Sequence, residues 1–211
     1  SDNAKSPWVK GNKIVIDPQI NAWIEQTKKY TDAGYNNRAS LWSPESTQGM
    51  TKDKGKVFGY FGPGWFIDFC MDTSASGDWA FCEGPQGFSW GGTWICAAAG
   101  TDNKDLVRDI MYELTCNTNT MMELAKGTGD LINSTVGMNQ LANSDYKNAF
   151  LGGQNHMGLF AKNAGNITKN NMTKYDQGCN EKIQAAMKDY FDGNVTLEKA
   201  WDNFYTAIFE L

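Results

Sequence analysis

The sequence predicts an α/β fold, in which helices pack against strands. Strand-like and helix-like segments alternate along the chain, as they do in layered α/β domains. The 211 residues are 41% hydrophobic and 20% charged, which is typical of a globular domain able to bury its own core. No apolar run approaches the roughly 20 residues that a membrane-spanning helix needs.

The first half of the chain begins with a helix and continues with strands. Asp17-Pro18 is a favourable helix start, because the carboxylate can cap free N–H groups and Pro suits the first helical position. We expect this helix to end at Gly34. Its apolar face consists of Ile20, Trp23, Ile24 and Tyr30. Strands are predicted over residues 56–61, 78–82 and 93–99, with a short helix over residues 65–71.

The second half is predicted to be mainly helical. Asp102 or Asn103 can cap a helix whose apolar residues follow at helical spacing. A helix is predicted over residues 121–126, ending at Gly127, and short helical pieces with turns over residues 131–151. Two longer helices follow, one over residues 175–191 and one that Thr196 caps.

The composition favours the binding of flat, weakly polar ligands. Eight Trp, eight Tyr and 11 Phe stand beside a single His. The densest block is residues 59–94, where Trp65, Trp90 and Trp94 lie beside Gly-rich turns. Glycine permits close backbone approach and indole offers a flat apolar face, so these residues predict a ligand cleft rather than core alone. The net charge of −5 argues against a nucleic-acid partner.

Catalytic and metal-binding chemistry finds less support. Asp68, Asp78 and Glu83 could supply the acid and base of a glycoside hydrolase, or could only accept hydrogen bonds. His156 has no recognisable catalytic partner, and a surface or helix-start position is expected for it. The five cysteines contain no CxxC pair, so we expect no metal, no cofactor and mostly buried free thiols. A disulfide between Cys70 and Cys82 remains an alternative.

The order of several motifs resembles extracellular solute-binding proteins of bacterial carbohydrate ABC importers (family 1, maltose-binding-protein-like). These motifs include VFGYFGPGW at residues 57–65, GPQGFSWGGTW at residues 84–94 and AMKDYFDGNVTLEKA at residues 186–200. The similarity covers nearly the whole chain. It implies a periplasmic-binding-protein-like (type II) lobe, the C-terminal half of a two-lobed protein, with the other lobe and a lipid-anchor cysteine outside this sequence.

The resemblance implies a function and a set of site residues. The protein would bind an oligosaccharide outside the cell of a Gram-positive bacterium, anchored as a lipoprotein, and deliver it to a membrane permease without catalysing a reaction. A glycoside hydrolase using Asp68 and Glu83, or a peptide-binding importer component, are the alternatives. The expected ligand-binding residues are Trp42, Trp65, Asp68, Trp90, Gly91, Gly92, Trp94, Tyr175 and Asp176.

The same resemblance divides the chain into three segments. Residues 1–94 would form the C-terminal-lobe segment with the cleft loops, and residues 151–211 would form C-terminal-lobe helices. Residues 95–150 would pack into the first lobe of an intact relative. Because that lobe lies outside this sequence, we expect residues 95–150 to expose an apolar face, to repack or to self-associate.

Overall fold

The computed structural model describes residues 2–53 and 55–209. In these residues the chain is mostly helical and carries one two-stranded sheet. The strands are β1 (Val9–Lys10) and β2 (Lys13–Ile14). The helices are α1 (Pro18–Asp32), α2 (Pro44–Gln48), α3 (Phe66–Cys70), α4 (Lys104–Thr115), α5 (Thr118–Thr128), α6 (Thr135–Ala142), α7 (Met157–Gly165), α8 (Asp176–Phe191) and α9 (Leu197–Ile208).

The chain forms two compact units. The first unit combines Ser1–Ala39 with Ile167–Leu211 and contains the hairpin, α1, α8 and α9. Helix α8 packs against both α9 and α1. Trp8 lies in the core of this unit, with its ring 5.8 Å from that of Phe204 and its Nε1 donating to Asn180 Oδ1 at 3.0 Å. The N-terminal segment is thereby held against α8 and α9.

The second unit is Ser40–Asn166 and holds α2 to α7. Helix α6 packs against α5 and α7. The buried residues of its core are Ile67, Ala125, Met138, Leu141, Leu151, Met157 and Phe160. Much of the rest of this unit, including residues 83–99, is irregular and largely exposed.

Two helix starts were predicted correctly because the capping residues act locally. Asp17 accepts a hydrogen bond from the Gln19 N–H at 3.0 Å and starts α1, as predicted. Thr196 caps α9 by accepting from the Lys199 N–H at 3.2 Å, which is also confirmed. The predicted end of α5 at Gly127 is wrong by two residues, since the left-handed residue that ends this helix is Gly129, with φ +65°.

The three predicted strands are not formed. Residues 56–61, 78–82 and 93–99 have no regular secondary structure in the described chain, so the layered sheet expected from the sequence is not observed. An extended segment becomes a strand only when a neighbouring segment accepts its ladder of hydrogen bonds. At residues 78–82 a side chain replaces that neighbour: the Gln154 amide donates to the Phe81 carbonyl and accepts from the Phe81 N–H, both at 2.8 Å.

The β1–β2 hairpin and two helices, α2 and α7, were not predicted from the sequence. The β1–β2 hairpin turns through Gly11, whose φ is +62°, and pairs Val9 with Ile14. The Gly11-Asn12 pair lies between two short apolar stretches, a pattern that predicts such a turn. Helix α7 begins directly after His156, so the expected helix-start position of this residue is confirmed. The His156 side chain is fully buried, so the expected surface position is wrong.

The segment that the resemblance assigned to another lobe behaves in two ways. Helix α4 has no buried residue, and its Leu106 and Ile110 are exposed. Helices α5 and α6 instead contribute Met121, Ala125 and Leu141 to the buried interior of the second unit. The described chain therefore exposes apolar surface in the first part of residues 95–150 and packs the later part. The assignment of this segment to a further lobe stays a prediction.

All five cysteines carry free thiols. Cys179 is buried, Cys70 is half-buried, and Cys82, Cys96 and Cys116 are exposed. The expectation of free thiols thus agrees with the structure, whereas the expectation that they are buried holds fully for Cys179 alone.

Candidate functional site

Three of the expected ligand-binding tryptophans form one partly exposed cluster in the second unit. The rings of Trp42 and Trp65 are parallel, with an interplanar angle of 3° and centroids 5.8 Å apart. Trp90 meets Trp65 edge-on, at 71° and 5.8 Å. Trp42 and Trp90 are 68% and 54% exposed. We call Trp42, Trp65 and Trp90 the tryptophan platform.

Helix starts and a glycine turn position the platform. Trp42 directly precedes Ser43, whose hydroxyl accepts from the Ser46 N–H at 3.2 Å and caps α2. Trp65 is the N-cap residue of α3, and its Nε1 donates a long 3.4 Å hydrogen bond to the Trp90 carbonyl. Beyond Trp90 the chain turns through Gly91, whose φ of +73° is strained for any residue with a Cβ.

Two further aromatic residues fix the extended chain near α2. The Tyr60 hydroxyl donates to the Ser46 carbonyl at 2.9 Å, and the Trp79 Nε1 donates to the Met50 carbonyl at 3.0 Å. The rings of Tyr60 and Trp79 meet edge-on at 5.5 Å. Burial raises the pKa of Tyr60, so the hydroxyl remains a donor at neutral pH. Side-chain contacts therefore take the place of a strand ladder here.

The remaining expected site residues lie elsewhere. Trp94 is 77% exposed, and no ring contact within the described residues joins it to the platform. Gly92 precedes it closely, with φ +153°. Tyr175 and Asp176 belong to the first unit. The Tyr175 ring lies 4.9 Å from the Lys174 Nζ, while Asp176 is buried.

Asp68 on α3 points its carboxylate to Gly129. A Cβ placed on Gly129 would lie 2.7 Å from Asp68 Oδ2, so only glycine permits this approach. Burial raises the pKa of Asp68; interaction with His156 opposes the rise, and the nearby Asp130 adds to it. Although the residue as a whole is exposed, its carboxylate is thus partly desolvated.

Asp130 and His156 complete this polar cluster, and the sequence did not single out Asp130. Burial raises the pKa of Asp130, and the hydrogen bond from the Leu131 N–H at 2.7 Å lowers it in part. Its carboxylate packs against Gly64, the residue before Trp65. His156 Nε2 lies 2.7 Å from the Gly129 carbonyl, and its buried Nδ1 has no partner in the described chain. The only sequence signal for Asp130 was its position directly after Gly129, at the end of a helix.

The carboxylates named for the hydrolase alternative have different surroundings. Glu83 accepts two hydrogen bonds from the Lys162 ammonium, at 2.7 and 3.1 Å. Asp78 forms an ion pair with Lys52. The side chains that shift the pKa of Asp68 besides its own burial are His156 and Asp130, so its carboxylate neighbour is Asp130 rather than Glu83. Acid–base roles for Asp68 and Glu83 stay a prediction of the hydrolase alternative.

Residues 2–53 and 55–209 contain no group of side chains that resembles a metal-binding site. No three His, Cys, Asp or Glu side chains gather there in a way that could hold a metal ion. In the same residues no helix is both long and apolar enough to cross a membrane.

The geometry of the tryptophan platform is the main guide to function. No protein-family model, no curated protein and no solved structure matches this chain.

Proposed function

We propose that this chain binds a carbohydrate, specifically an oligosaccharide, through the tryptophan platform. The observation that carries the proposal is the parallel pair of the exposed Trp42 and the half-buried Trp65, with the exposed Trp90 set edge-on beside it. Exposed clusters of large aromatic rings mark binding surfaces in soluble proteins. An indole face suits the C–H face of a sugar ring, which is flat and weakly polar.

Spacing within the platform restricts where a sugar can stack. The Trp42 and Trp65 centroids are only 5.8 Å apart, and two faces need about 7 Å to sandwich a ring, twice the usual carbon–carbon contact of about 3.5 Å. The sugar therefore stacks on the outward faces of the platform. Asp130, which packs against Gly64, is a hydrogen-bond acceptor close to the backbone of Trp65 and is suited to a sugar hydroxyl.

The motif order described above extends this proposal to a biological role. In that role the chain is part of an extracellular solute-binding protein, anchored to the membrane as a lipoprotein, that delivers an oligosaccharide to an ABC permease. No bond is broken, so the protein is not an enzyme. Acidic and amide side chains hydrogen-bond the hydroxyls, while the indoles supply apolar contact.

The test is a titration of intrinsic tryptophan fluorescence with neutral gluco-, manno- and xylo-oligosaccharides. We expect a saturable change with at least one of these sugars. Trp42→Ala removes one exposed ring, which as a binding hot spot is worth about 2 kcal/mol, or roughly a 30-fold weaker Kd. Phe58→Ala is the matched control, because Phe58 is fully exposed and aromatic but outside the platform.

The outcomes separate the alternatives. A sugar response that Trp42→Ala and Phe58→Ala weaken equally would contradict the platform as the binding site. Silence with every sugar and a response to short peptides would favour the peptide-binding alternative. Release of nitrophenol from chromogenic glycosides, lost in Asp68→Asn, would identify a glycoside hydrolase and contradict the proposal.

A further inference from the structure

The polar cluster beside the tryptophan platform contains an unpaired carboxylate. Asp68 follows Trp65, the N-cap residue of α3, by three positions, so the two residues are neighbours on the surface of that helix. Asp68 is exposed as a residue, yet no hydrogen bond and no ion pair within the described chain engages its carboxylate. A partly desolvated carboxylate is costly unless a donor or a cation compensates it.

Asp130 adds a second carboxylate to the same cluster. Its Oδ1 packs against Gly64, the residue before Trp65, and its charge raises the pKa of Asp68. In the part of the chain that the structure describes, the one hydrogen bond to this carboxylate comes from the Leu131 N–H, at 2.7 Å. A single N–H group therefore serves two neighbouring carboxylates.

His156 is a third member of the cluster without a full set of partners. Its side chain is fully buried, and it influences the pKa of both Asp68 and Asp130. The Gly129 carbonyl, 2.7 Å from Nε2, can only accept, so Nε2 carries a proton. Nδ1 is buried, and a further proton there would find no acceptor among the described residues. Several unsatisfied polar groups in one place indicate a functional site.

The cations of the second unit do not compensate this cluster. Those that form ion pairs bind other carboxylates: Lys52 binds Asp78, Lys126 binds Glu123, Lys162 binds Glu83, and Arg108 binds Asp105 and Asp109. No ion pair within residues 2–53 and 55–209 includes Asp68 or Asp130. The surface beside Trp65 is therefore electronegative and suited to a positively charged group of a ligand.

We propose that the sugar bound by the platform is an amino sugar, whose ammonium group binds the carboxylates of Asp68 and Asp130. The inference rests on the proposed function, because the platform supplies the stacking face. An ammonium carries a positive charge and three N–H donors, whereas a hydroxyl brings one donor and no charge. Indole faces also attract cations, so Trp65 favours the same ligand.

Two oligosaccharides that differ in charge test the inference. The glucosamine tetramer and its N-acetylated counterpart share rings and linkages, but only the first carries ammonium groups. Each is titrated into the full chain, with tryptophan fluorescence as the readout. The titration is run at about pH 6, where the amine is protonated and which lies above the ordinary Asp pKa of about 4. Because hydrogen bonds between charged groups are the stronger ones, we expect a roughly tenfold lower Kd for the glucosamine tetramer.

Asp68→Asn removes the charge and keeps the shape of the side chain. We expect it to abolish most of this roughly tenfold preference, while the Kd of the N-acetylated tetramer changes little. Asp105→Asn is the matched control, because it removes the same charge from an exposed carboxylate that Arg108 already pairs. This control should keep the preference of the unaltered chain.

Failure of the inference can be told apart from failure of the proposed function. Equal affinities of the unaltered chain for the two tetramers would overturn the inference and leave carbohydrate binding intact. A preference that Asp68→Asn and Asp105→Asn reduce equally would overturn it as well. Tetralysine binding as tightly as the glucosamine tetramer would also overturn it, since charge alone would then suffice. Silence with both tetramers and with the neutral oligosaccharides would contradict the proposed function itself.

Discussion

Substitution of Gly129 by Ala tests how the polar cluster of the second unit is built. Gly129 has φ +65°, and a left-handed conformation costs a residue with a Cβ roughly 1–2 kcal/mol. The new Cβ would also lie 2.7 Å from Asp68 Oδ2 and 2.8 Å from Asn148 Nδ2. Crowding of this kind typically costs 1–3 kcal/mol. We therefore expect a loss of about 3 kcal/mol in the free energy of unfolding.

Two other glycines of the second unit separate these contributions. Gly153 has φ +88°, but a Cβ there would meet no atom of the described residues within 4 Å, so Gly153→Ala should cost only about 1 kcal/mol. Gly127 lies within α5, lacks a positive φ and faces open space, so Gly127→Ala should stabilise by about 0.5–1 kcal/mol. The series differs by one methyl group at each position.

Urea unfolding and thermal unfolding, both followed by circular dichroism, provide the assay. For a chain of this size 1 kcal/mol corresponds to roughly 2–4 °C in melting temperature, so Gly129→Ala should melt about 6–12 °C lower. If Gly129→Ala is no less stable than Gly153→Ala, then Asp68 and Asn148 do not pack on Gly129, and the account of the cluster is refuted.

Three further predictions follow from other elements. Asp130→Asn should stabilise the chain at neutral pH, because burial raises the pKa of Asp130 and its ionisation therefore opposes folding. In urea unfolding measured at a series of pH values, this added stability should disappear below the ordinary Asp pKa of about 4, where the carboxyl is protonated in both the folded and the unfolded chain. Thr196→Ala should cost about 1 kcal/mol in urea unfolding, while Asn103→Ala, which removes no cap hydrogen bond, should cost clearly less. Leu141→Ala should cost about 3–4 kcal/mol and Leu106→Ala under 1 kcal/mol, and equal losses would contradict the burial of one and the exposure of the other.

Most of the helices, though not α2 and α7, were predictable from the sequence because their signals are local. Asp17-Pro18, Thr196 and the apolar spacing of α4 each lie within the element that they specify. The strands required knowledge of a partner segment, which the sequence pattern does not contain. Residues 56–61 have the composition of a strand, yet in the described chain they gain tertiary contacts through Tyr60 rather than a backbone ladder.

The sequence predicted the type of candidate site, an aromatic surface, better than it predicted which residues form it. The abundance of Trp beside glycine predicts an aromatic surface, and Trp42, Trp65 and Trp90 do lie together. Trp94, four residues from Trp90, is not among them, because ring contacts depend on turns such as the one at Gly91. The Asp68–Asp130–His156 cluster joins residues far apart in sequence, so no local pattern could reveal it.

The way the platform is held determines how it can bind. Trp65 contacts both Trp42 and Trp90 through its ring, and within the described residues none of the three lies in a strand. Contacts with the Trp65 ring are therefore the main restraint on the exposed indoles of Trp42 and Trp90. Loss of Trp65 removes one stacking face and also both of these restraints, whereas loss of Trp42 removes a face alone. Because disordered side chains must be ordered on binding at a cost of about 0.5–1.5 kcal/mol each, Trp65 is the position whose removal should weaken ligand binding most.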